Sequence, residues 1–454
     1  SSHLVKDMTS RSVYHDVSVP RQHEMTSAGL LRSGEDDNGS DPDPYSCCSV
    51  MCNGCRPSHK LGYTLADCSC SCVCGWCQVI GVHIPVTCCR ACCCYDCAAL
   101  PYSKTLWNRQ YYAILQFLRT FIGNVPYSNL YLVQWITSWP WPRMLLPAGL
   151  STSRVDNAEA HGEWLKPSGD RRPSRTILYF HGGAFLLMTA NSEHLVPSSL
   201  MKALDDTQVF TADYPDVPER DLHTVVDSAV STYRWLTKQV RPESIIVSGE
   251  SAGGCLAVLL MLKLKQLGEP LPRGAILMSP WVKLDPIDTP SWESNNYTDY
   301  ISFSAVVKEA FTLSANGGRI DDPSINPYFA SEQLLQGLPP MWISVGGAEI
   351  LRSCIEDFAQ RARGVGVPVE LYVGEGMAHV YQMFACCVAR PPTADLLPWA
   401  CCCRLCCADM FLETPAKHPV WTSFESARRW ELQLGDVQAV SKGSQFLCCS
   451  ATRQ

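Results

Sequence analysis

The sequence has no concentration of positive charge, no long apolar run and no apolar segment near its first residue. Lys and Arg number 37 against 44 Asp and Glu, which argues against a protein that binds nucleic acid through phosphate contacts. No stretch of about 18 uncharged apolar residues occurs, so an ordinary membrane-spanning helix is not expected. The beginning of the chain shows no signal-peptide pattern, which favours an intracellular protein, cytoplasmic or associated with the endoplasmic reticulum membrane, over a secreted one.

Cysteine is nearly absent from residues 98–385, where only Cys255 and Cys354 occur, although the chain contains 26 cysteines. Residues 47–97 hold fifteen of them and residues 386–407 hold seven. The cysteine-poor stretch is typical of a globular domain of a reducing compartment. The cysteines therefore do not describe the fold as a whole.

The cysteine-rich segments leave several interpretations open. Two C-x-x-C pairs, Cys52 with Cys55 and Cys74 with Cys77, are separated by 18 residues, a spacing that fits a four-thiolate zinc site. Such pairs also arise by chance where cysteine is this frequent, and an unstructured low-complexity segment or translated non-coding sequence would look the same. We expect low complexity here, and no metal or other cofactor in the chemistry of the protein.

The middle of the chain alternates between strand and helix patterns. With 454 residues, of which 46% are hydrophobic, the chain is long enough for about two to three domains and apolar enough for a sizeable core. Short apolar runs predict strands over residues 176–180, 208–212, 244–247, 275–278, 341–345 and 369–373. Helical spacing predicts helices over 221–238, 252–267 and 352–363. This alternation predicts an α/β fold with a mostly parallel sheet flanked by helices.

The motif G-E-S-A-G at residues 249–253 lies directly after one predicted strand and directly before a long, apolar predicted helix. In a nucleophile elbow, a serine lies in a strained strand-to-helix turn, and small residues on both sides let the backbone pass closely. The alternative is a glycine-rich turn of a nucleotide-binding fold, which would require G-x-G-x-x-G, and that motif is absent. Ser251 is therefore the candidate nucleophile.

A second motif, His181-Gly182-Gly183-Ala184, ends the first strand of the α/β region. Consecutive glycines at a strand end leave backbone N–H groups free to converge on an oxyanion, and the residue after the nucleophile adds another donor. The motif alone would fit an ordinary tight turn, but a nucleophile elbow follows it. The predicted oxyanion donors are the N–H groups of Gly182, Gly183 and Ala252.

A base and an orienting acid should follow the serine in the order acid, then histidine. Only His379 and His418 lie after Ser251. His379 follows the last predicted strand and is the candidate base, whereas His418 lies in a polar stretch and is expected to be a solvated loop residue. Glu349 follows the strand at 341–345 and is the candidate acid. The alternatives, Glu356 and Asp357, are expected to be solvated helix carboxylates.

With these residues in place, the region from about 150 to 385 resembles the hormone-sensitive-lipase branch of the α/β-hydrolase superfamily. The motifs that carry the resemblance are YFHGGAF, ADYPDVPE, YRWL, SGESAGG, LMSPWVKL, GVGVPVEL and GMAH. The resemblance implies the triad Ser251, Glu349 and His379. Two departures from the family pattern occur: the acid is usually Asp rather than Glu, and Ala184 replaces the last glycine of H-G-G-G.

The resemblance also implies a helical cap over the active site, formed by residues 105–150 and 286–335. The expected organisation is a disordered, cysteine-rich region at 1–104, cap helices at 105–150 and a catalytic domain at 151–454 with a cysteine-rich insertion at about 385–415. The first cap piece is rich in aromatic residues. They suggest a lipophilic substrate, although plain packing of the cap would explain them equally well.

Trp135, Trp139 and Trp141 suit a lid over a pocket, or alternatively a peripheral contact with a membrane surface.

Taken together, these features predict a serine hydrolase that cleaves lipophilic acyl or acetyl esters through an acyl-enzyme. One alternative is a catalytically weak relative that binds small molecules, for which loss of the serine or histidine would be the expected sign. Another is a thiol- or zinc-dependent module at 47–97 with a hydrolase attached.

Overall fold

The structure is a computed structural model. It describes residues 106–124, 149–169, 173–217, 219–301, 319–387 and 418–450, together with the single residues 102, 134, 137, 138 and 146.

Eight strands form one sheet. The strands are β1 (Leu150–Asp156), β2 (His161–Pro167), β3 (Arg175–Phe180), β4 (Thr207–Ala212), β5 (Ile245–Glu250), β6 (Gly274–Met278), β7 (Met341–Gly346) and β8 (Val369–Gly374). Their order across the sheet is β1-β2-β4-β3-β5-β6-β7-β8. The pairs β1–β2 and β2–β4 are antiparallel. The remaining pairs, β4–β3, β3–β5, β5–β6, β6–β7 and β7–β8, are parallel. The carboxyl ends of β3, β5, β6, β7 and β8 therefore meet at one edge of the sheet.

Helices cover the sheet. They are α1 (Arg109–Asn124), α2 (Leu195–Ala203), α3 (Leu222–Thr237), α4 (Ala252–Leu267), α5 (Pro290–Ser294), α6 (Glu332–Leu335), α7 (Arg352–Gly364) and α8 (Pro419–Ser450). Short 3₁₀ segments lie at Ala190–Ser192, Pro242–Ser244, Pro327–Phe329 and Tyr381–Cys387. Every residue of β5, β6 and β7 is buried, as expected for parallel strands covered on both faces. The prediction of an α/β fold is confirmed, and the predicted strands differ from the observed ones by at most three residues at an end.

The antiparallel hairpin β1–β2 is not among the predicted strands. Side chains of β1 alternate between half-buried and exposed positions, and its sequence LSTSRVD holds few apolar residues. Because an edge strand buries little surface, it lacks the continuous apolar run that identifies the inner strands. The hairpin extends the sheet beyond β4 through the antiparallel pairing of β2 with β4.

The C-terminal helix α8 was also missed. Phe424, Ala427 and Trp430 lie on one side of it, and they pack into a buried cluster with residues of the sheet and of α2. Glu431 is buried on the same helix and forms ion pairs with Arg175 at 2.8 Å and Arg273 at 3.3 Å. Thus α8 is bound to the sheet by apolar contacts and by the ion pairs of one buried carboxylate with two partly buried arginines.

Several expectations fall outside the described residues. These are the C-x-x-C pairs of the segment 47–97, most of the insertion expected at 385–415, and the three tryptophans of a lid or membrane contact. Within the described ranges, no helix is long and apolar enough to cross a membrane. Over the same ranges, no three His, Cys, Asp or Glu side chains are grouped as metal ligands would be. Cys255 and Cys354 are buried free thiols.

The docking of α8 predicts a mutational effect. Trp430 is buried, so Trp430→Ala should lower the free energy of unfolding by about 3–5 kcal/mol, the usual cost of removing a large buried side chain. Leu432, which is 50% exposed two residues further on, supplies the control, and Leu432→Ala should change it by no more than about 0.5 kcal/mol. Urea unfolding followed by circular dichroism measures both. Equal effects of the two variants would show that α8 does not depend on its inward face.

Candidate active site

Ser251 lies in the turn between β5 and α4, where the sequence predicts a nucleophile elbow. Its φ is +53° and its ψ is −119°, a backbone conformation that residues other than glycine rarely adopt. The Ser251 N–H donates to the Met278 carbonyl at 3.0 Å, and the Ser251 carbonyl accepts from the Trp281 N–H at 2.9 Å. Hydrogen bonds from both its N–H and its carbonyl group therefore hold the strained turn against the end of β6 and the residues that follow it.

The glycines of the elbow are required by close backbone contacts. A Cβ atom on Gly253 would lie 2.0 Å from the carbonyl oxygen of Phe180, the last residue of β3. A Cβ atom on Gly249 would lie 2.5 Å from the carbonyl carbon of Gly253. Both distances are far below van der Waals contact, so larger residues would force the first turn of α4 away from the sheet.

His379 and Glu349, the predicted base and acid, lie next to each other although 30 residues separate them in sequence. Both are buried, and His379 Nδ1 is 3.7 Å from Glu349 Oε1. Neither of these two buried atoms has another hydrogen-bond partner within the described part of the chain. The separation is longer than a hydrogen bond, as is often found in active sites without substrate, and a small movement would close it.

The other oxygen of Glu349 is held in place. Glu349 Oε2 accepts hydrogen bonds from Ser279 Oγ at 2.6 Å and from the Gly346 N–H at 2.9 Å. Ser279 Oγ in turn accepts from the Val380 N–H at 3.1 Å, next to His379. Ser279, which follows β6, thus connects the acid loop (residues 347–351, which include Glu349) to the base loop (residues 375–380, which include His379). No sequence motif singled out Ser279.

Glu356, one of the two helix carboxylates considered as alternatives, has a partner of its own. Glu356 lies on α7 and pairs with Arg352 at 2.8 Å, and both side chains are about one-third exposed. An exposed pair of this kind on one helix is a common surface feature. The geometry therefore favours Glu349 over Glu356 as the partner of His379.

The loop of residues 181–184, which follows β3 and is called the oxyanion loop below, differs from the expected arrangement at Gly182. The Gly182 N–H donates to Glu250 Oε1 at 2.6 Å, so it is not available to an oxyanion in this structure. The sequence predicts this N–H as an oxyanion donor, whereas the structure pairs it with the side chain of Glu250, a contact between residues that no local pattern connects. Gly183 and Ala252 stay as predicted donors. Gly183 has a φ of +104°, and Ala184 follows at +57°.

Burial controls the charge of the groups beneath this loop. Desolvation raises the pKa of the Glu250 carboxyl well above its usual range, and the nearby Glu193 raises it further. Desolvation likewise raises the pKa of Glu193 to about 7. Tyr179, on β3, contacts Glu250 through its hydroxyl group. Burial therefore disfavours the negative charge of the carboxyl group that accepts the Gly182 N–H.

The base loop is covered by α1 and the residues just before it. The Trp107 indole N–H donates to the Gly376 carbonyl at 2.6 Å, and the Ala378 N–H donates to the Tyr111 hydroxyl at 2.9 Å. His418 was expected to be solvated, and this is wrong. It is buried, and its Nε2 lies 3.2 Å from the Leu106 carbonyl, because α8 begins directly behind this cluster.

Comparison with known proteins places the chain in a family. A model of the α/β hydrolase fold matches residues 177–383. An esterase of Acinetobacter venetianus is 33% identical over 50% of this chain and 73% of its own length. Esterase LipU of Mycobacterium tuberculosis is 32% identical over 54% of this chain and 87% of its own length. A solved esterase of the bacterial hormone-sensitive lipase family superposes with a TM-score of 0.56 at 27% identity, covering 64% of this chain and 94% of that one.

The chain belongs to the hormone-sensitive-lipase branch of the α/β-hydrolase superfamily. The resemblance inferred from the motifs is confirmed, and with it the class of enzyme, a carboxylic ester hydrolase. The matched residues contain Ser251, Glu349 and His379. They exclude the hairpin β1–β2, the cysteine-rich segments and α8, so the family model covers the sheet from β3 to β8 and the elbow but not the ends of this hydrolase.

The close approach at the elbow predicts the effect of adding one methyl group. Gly253→Ala places a Cβ atom against a backbone carbonyl that cannot rotate away, so it should lower the free energy of unfolding by about 1–3 kcal/mol or more. It should also slow the labelling of Ser251 by a fluorophosphonate probe.

The control is Gly364→Ala at the end of α7, where an added Cβ meets nothing within 4 Å. This variant should keep normal stability and labelling. Chemical denaturation and gel fluorescence of the labelled protein measure the two properties. Normal labelling of Gly253→Ala would mean that the elbow tolerates a displacement of α4.

Proposed function

We propose that this hydrolase cleaves lipophilic carboxylic esters through an acyl-enzyme, with Ser251 as nucleophile, His379 as base and Glu349 as orienting acid. The observation that carries the proposal is the buried pair of His379 Nδ1 and Glu349 Oε1, 3.7 Å apart and both without another partner in the described chain. Two buried polar groups left unsatisfied are costly in a fold that needs them only for packing. They are useful in a site where an imidazole must become charged.

Parallel strand order supports the assignment of the three roles. Ser251 follows β5, Glu349 follows β7 and His379 follows β8, and these strands lie at consecutive positions apart from β6 between the first two. Since their carboxyl ends share one edge of the sheet, residues distant in sequence converge there. The order serine, acid, histidine along the chain is that of α/β hydrolases.

The proposed reaction follows from these positions. Ser251 Oγ attacks the ester carbonyl carbon and passes its proton to His379. This step forms a tetrahedral intermediate on Ser251 and an imidazolium on His379. When the intermediate collapses, the carbon–oxygen bond to the alcohol breaks and the imidazolium protonates the leaving alkoxide. A water molecule then attacks the acyl-enzyme with His379 as base, which releases the carboxylic acid and restores Ser251.

Glu349 is suited to stabilise the imidazolium. Its Oε2 is already held by two donors, so the carboxylate is oriented, and its Oε1 is left for the His379 ring. A fixed buried carboxylate keeps the imidazole in the tautomer that can accept the serine proton. The donors for the oxyanion are then the N–H groups of Gly183 and Ala252, the second at the N-terminus of α4, where backbone N–H groups lack helical partners.

The proposed substrate class rests on the apolar surroundings of the base loop. Trp107, Tyr111, Tyr300 and Phe384 form one buried cluster with residues of this loop. The Tyr300 ring lies 6.1 Å from the His379 ring between centroids. Aromatic surfaces beside a catalytic base favour an apolar acyl or ring-bearing group over a sugar or a charged metabolite. The esterase relatives agree with this class of reaction.

Ser251→Ala tests the nucleophile. The variant should lose several orders of magnitude in the hydrolysis of p-nitrophenyl esters, from acetate to palmitate, because no covalent intermediate can form. The unfolding transition should stay close to that of the unaltered protein, since only one oxygen is removed. Unchanged turnover in pure protein would contradict the assignment. Absence of turnover in the unaltered protein as well would instead favour a binding protein with this fold.

Glu349→Gln tests the acid. The amide keeps the shape of the side chain but cannot stabilise the imidazolium, so kcat should fall by about 10⁴, as it does on loss of a triad acid elsewhere. Glu356→Gln and Asp357→Asn on α7 are the matched controls and should leave kcat nearly unchanged. Steady-state kinetics of the three variants measure the difference. A severe loss at 356 or 357 with a mild loss at 349 would transfer the role to the helix.

A further inference from the structure

Asp299 lies between the proposed base and the proposed acid, and the mechanism above does not use it. It follows α5 and is only 1% exposed. Its Oδ1 accepts the backbone N–H of His379 at 3.2 Å and that of Tyr300 at 2.8 Å. Its Oδ2 accepts the Ile350 N–H at 2.9 Å. A single carboxylate thus holds the residue after Glu349 and the backbone of His379 together.

The neighbours of Asp299 strengthen its hold on the acid loop. Asn295 Nδ2 donates to the Glu349 carbonyl at 2.9 Å and to the Gly347 carbonyl at 3.3 Å. Thr298 Oγ1 donates to the Ala348 carbonyl at 2.9 Å. Together with Asp299, these side chains bind the acid loop along four consecutive residues. We call residues 295–299 the clamp segment.

The clamp segment is also joined to α1. Arg119 Nη1 donates to the Asp299 carbonyl at 3.1 Å, and the Arg119 guanidinium lies 5.9 Å from the centre of the Tyr297 ring. The sequence assigned both α1 and the clamp segment to the cap. The contacts show that the clamp segment reaches the backbone around Glu349 and His379, and that α1 is bound to the clamp segment.

The charge of Asp299 responds to its burial and its neighbours. Desolvation raises the pKa of its carboxyl to about 6, His379 opposes that shift and Glu349 adds to it. The groups that face it are therefore His379 on the base loop and Glu349 on the acid loop, with Arg119 on α1 bound to its backbone. Because the pKa is raised, Asp299 is negative above about pH 6 and loses this charge as the pH falls through that value.

We propose that Asp299 is a positioning residue for ester hydrolysis, which fixes the His379 loop against the Glu349 loop and places a second negative charge beside the imidazole. This inference rests on the proposed function of Ser251, His379 and Glu349. When His379 takes the serine proton, the two loops must already hold the ring at the correct distance, since a displacement of about 1 Å can cost about 100-fold in rate. The second carboxylate favours the protonated ring that forms in that step.

Asp299→Asn separates this role from a merely structural one. The amide keeps an oxygen acceptor but removes the charge, and its NH₂ group cannot accept the Ile350 N–H. We expect kcat for p-nitrophenyl butyrate to fall between about 10- and 100-fold, with KM changed less than about twofold. The acid limb of the kcat/KM profile should move to lower pH by about half a unit or more, because a charge that stabilises the protonated base is gone.

Glu431→Gln on α8 is the matched control, a buried carboxylate whose ion pairs lie with Arg175 and Arg273. It should lower the stability but leave kcat and the acid limb unchanged once rates are divided by the concentration of sites that react with a fluorophosphonate probe. Should Asp299→Asn not fold, Asp299→Glu keeps the charge but displaces the carboxylate by one methylene. That variant should lose kcat while its acid limb stays close to that of the unaltered protein.

The outcomes are distinguishable. If Ser251→Ala abolishes turnover but Asp299→Asn shows the kcat and pH profile of Glu431→Gln, Asp299 has no positioning role. Unaltered kcat in Asp299→Glu would refute it equally, because the place of the carboxylate would then be immaterial. If Ser251→Ala keeps its turnover, the proposed function itself fails, whatever the Asp299 variants do.

Discussion

The strained turn at Ser251 is the constraint on which the rest of the site depends. A residue other than glycine at φ +53° and ψ −119° costs about 1–3 kcal/mol, so surrounding contacts must hold it. The bonds from Ser251 to the chain beyond β6, and the contact of Gly253 with the end of β3, supply that restraint. Because three strands fix one residue, its hydroxyl group keeps a defined position relative to loops that arise from the other strands.

Two buried carboxyl groups near this turn, those of Glu349 and Glu250, bind different loops. Glu349 is oriented by Ser279 and a backbone N–H, and it presents one oxygen to His379. Glu250 lies on the other side, where desolvation raises its pKa and its oxygen holds the oxyanion loop. The two groups have similar chemistry and each accepts two hydrogen bonds, but they hold different loops. Burial and the neighbouring Glu193 disfavour the negative charge of Glu250, the carboxyl group that lies against the predicted oxyanion loop.

The sequence predicted the inner strands, the elbow and the pairing of His379 with Glu349, because each depends on local signals: an apolar run, a glycine pattern, a residue just past a strand. It missed features that arise from contacts across the chain. The binding of Gly182 by Glu250 joins residues 68 apart, and the burial of His418 depends on residues more than 300 positions earlier. Asp299 lies in no motif, and only the folded backbone shows that its carboxylate reaches two loops at once.

The choice of Glu at position 349 follows from the same geometry. Oε2 reaches back to the N–H of Gly346 and across to Ser279, while Oε1 faces the imidazole. A side chain one methylene shorter at this backbone position could not extend as far toward both sides, so Asp would require the loop itself to advance. The clamp segment opposes such an advance, because Asn295, Thr298 and Asp299 bind the backbone of residues 347–350. The side chain at position 349 and the clamp segment that holds its loop therefore constrain each other, because both fix where the carboxylate lies.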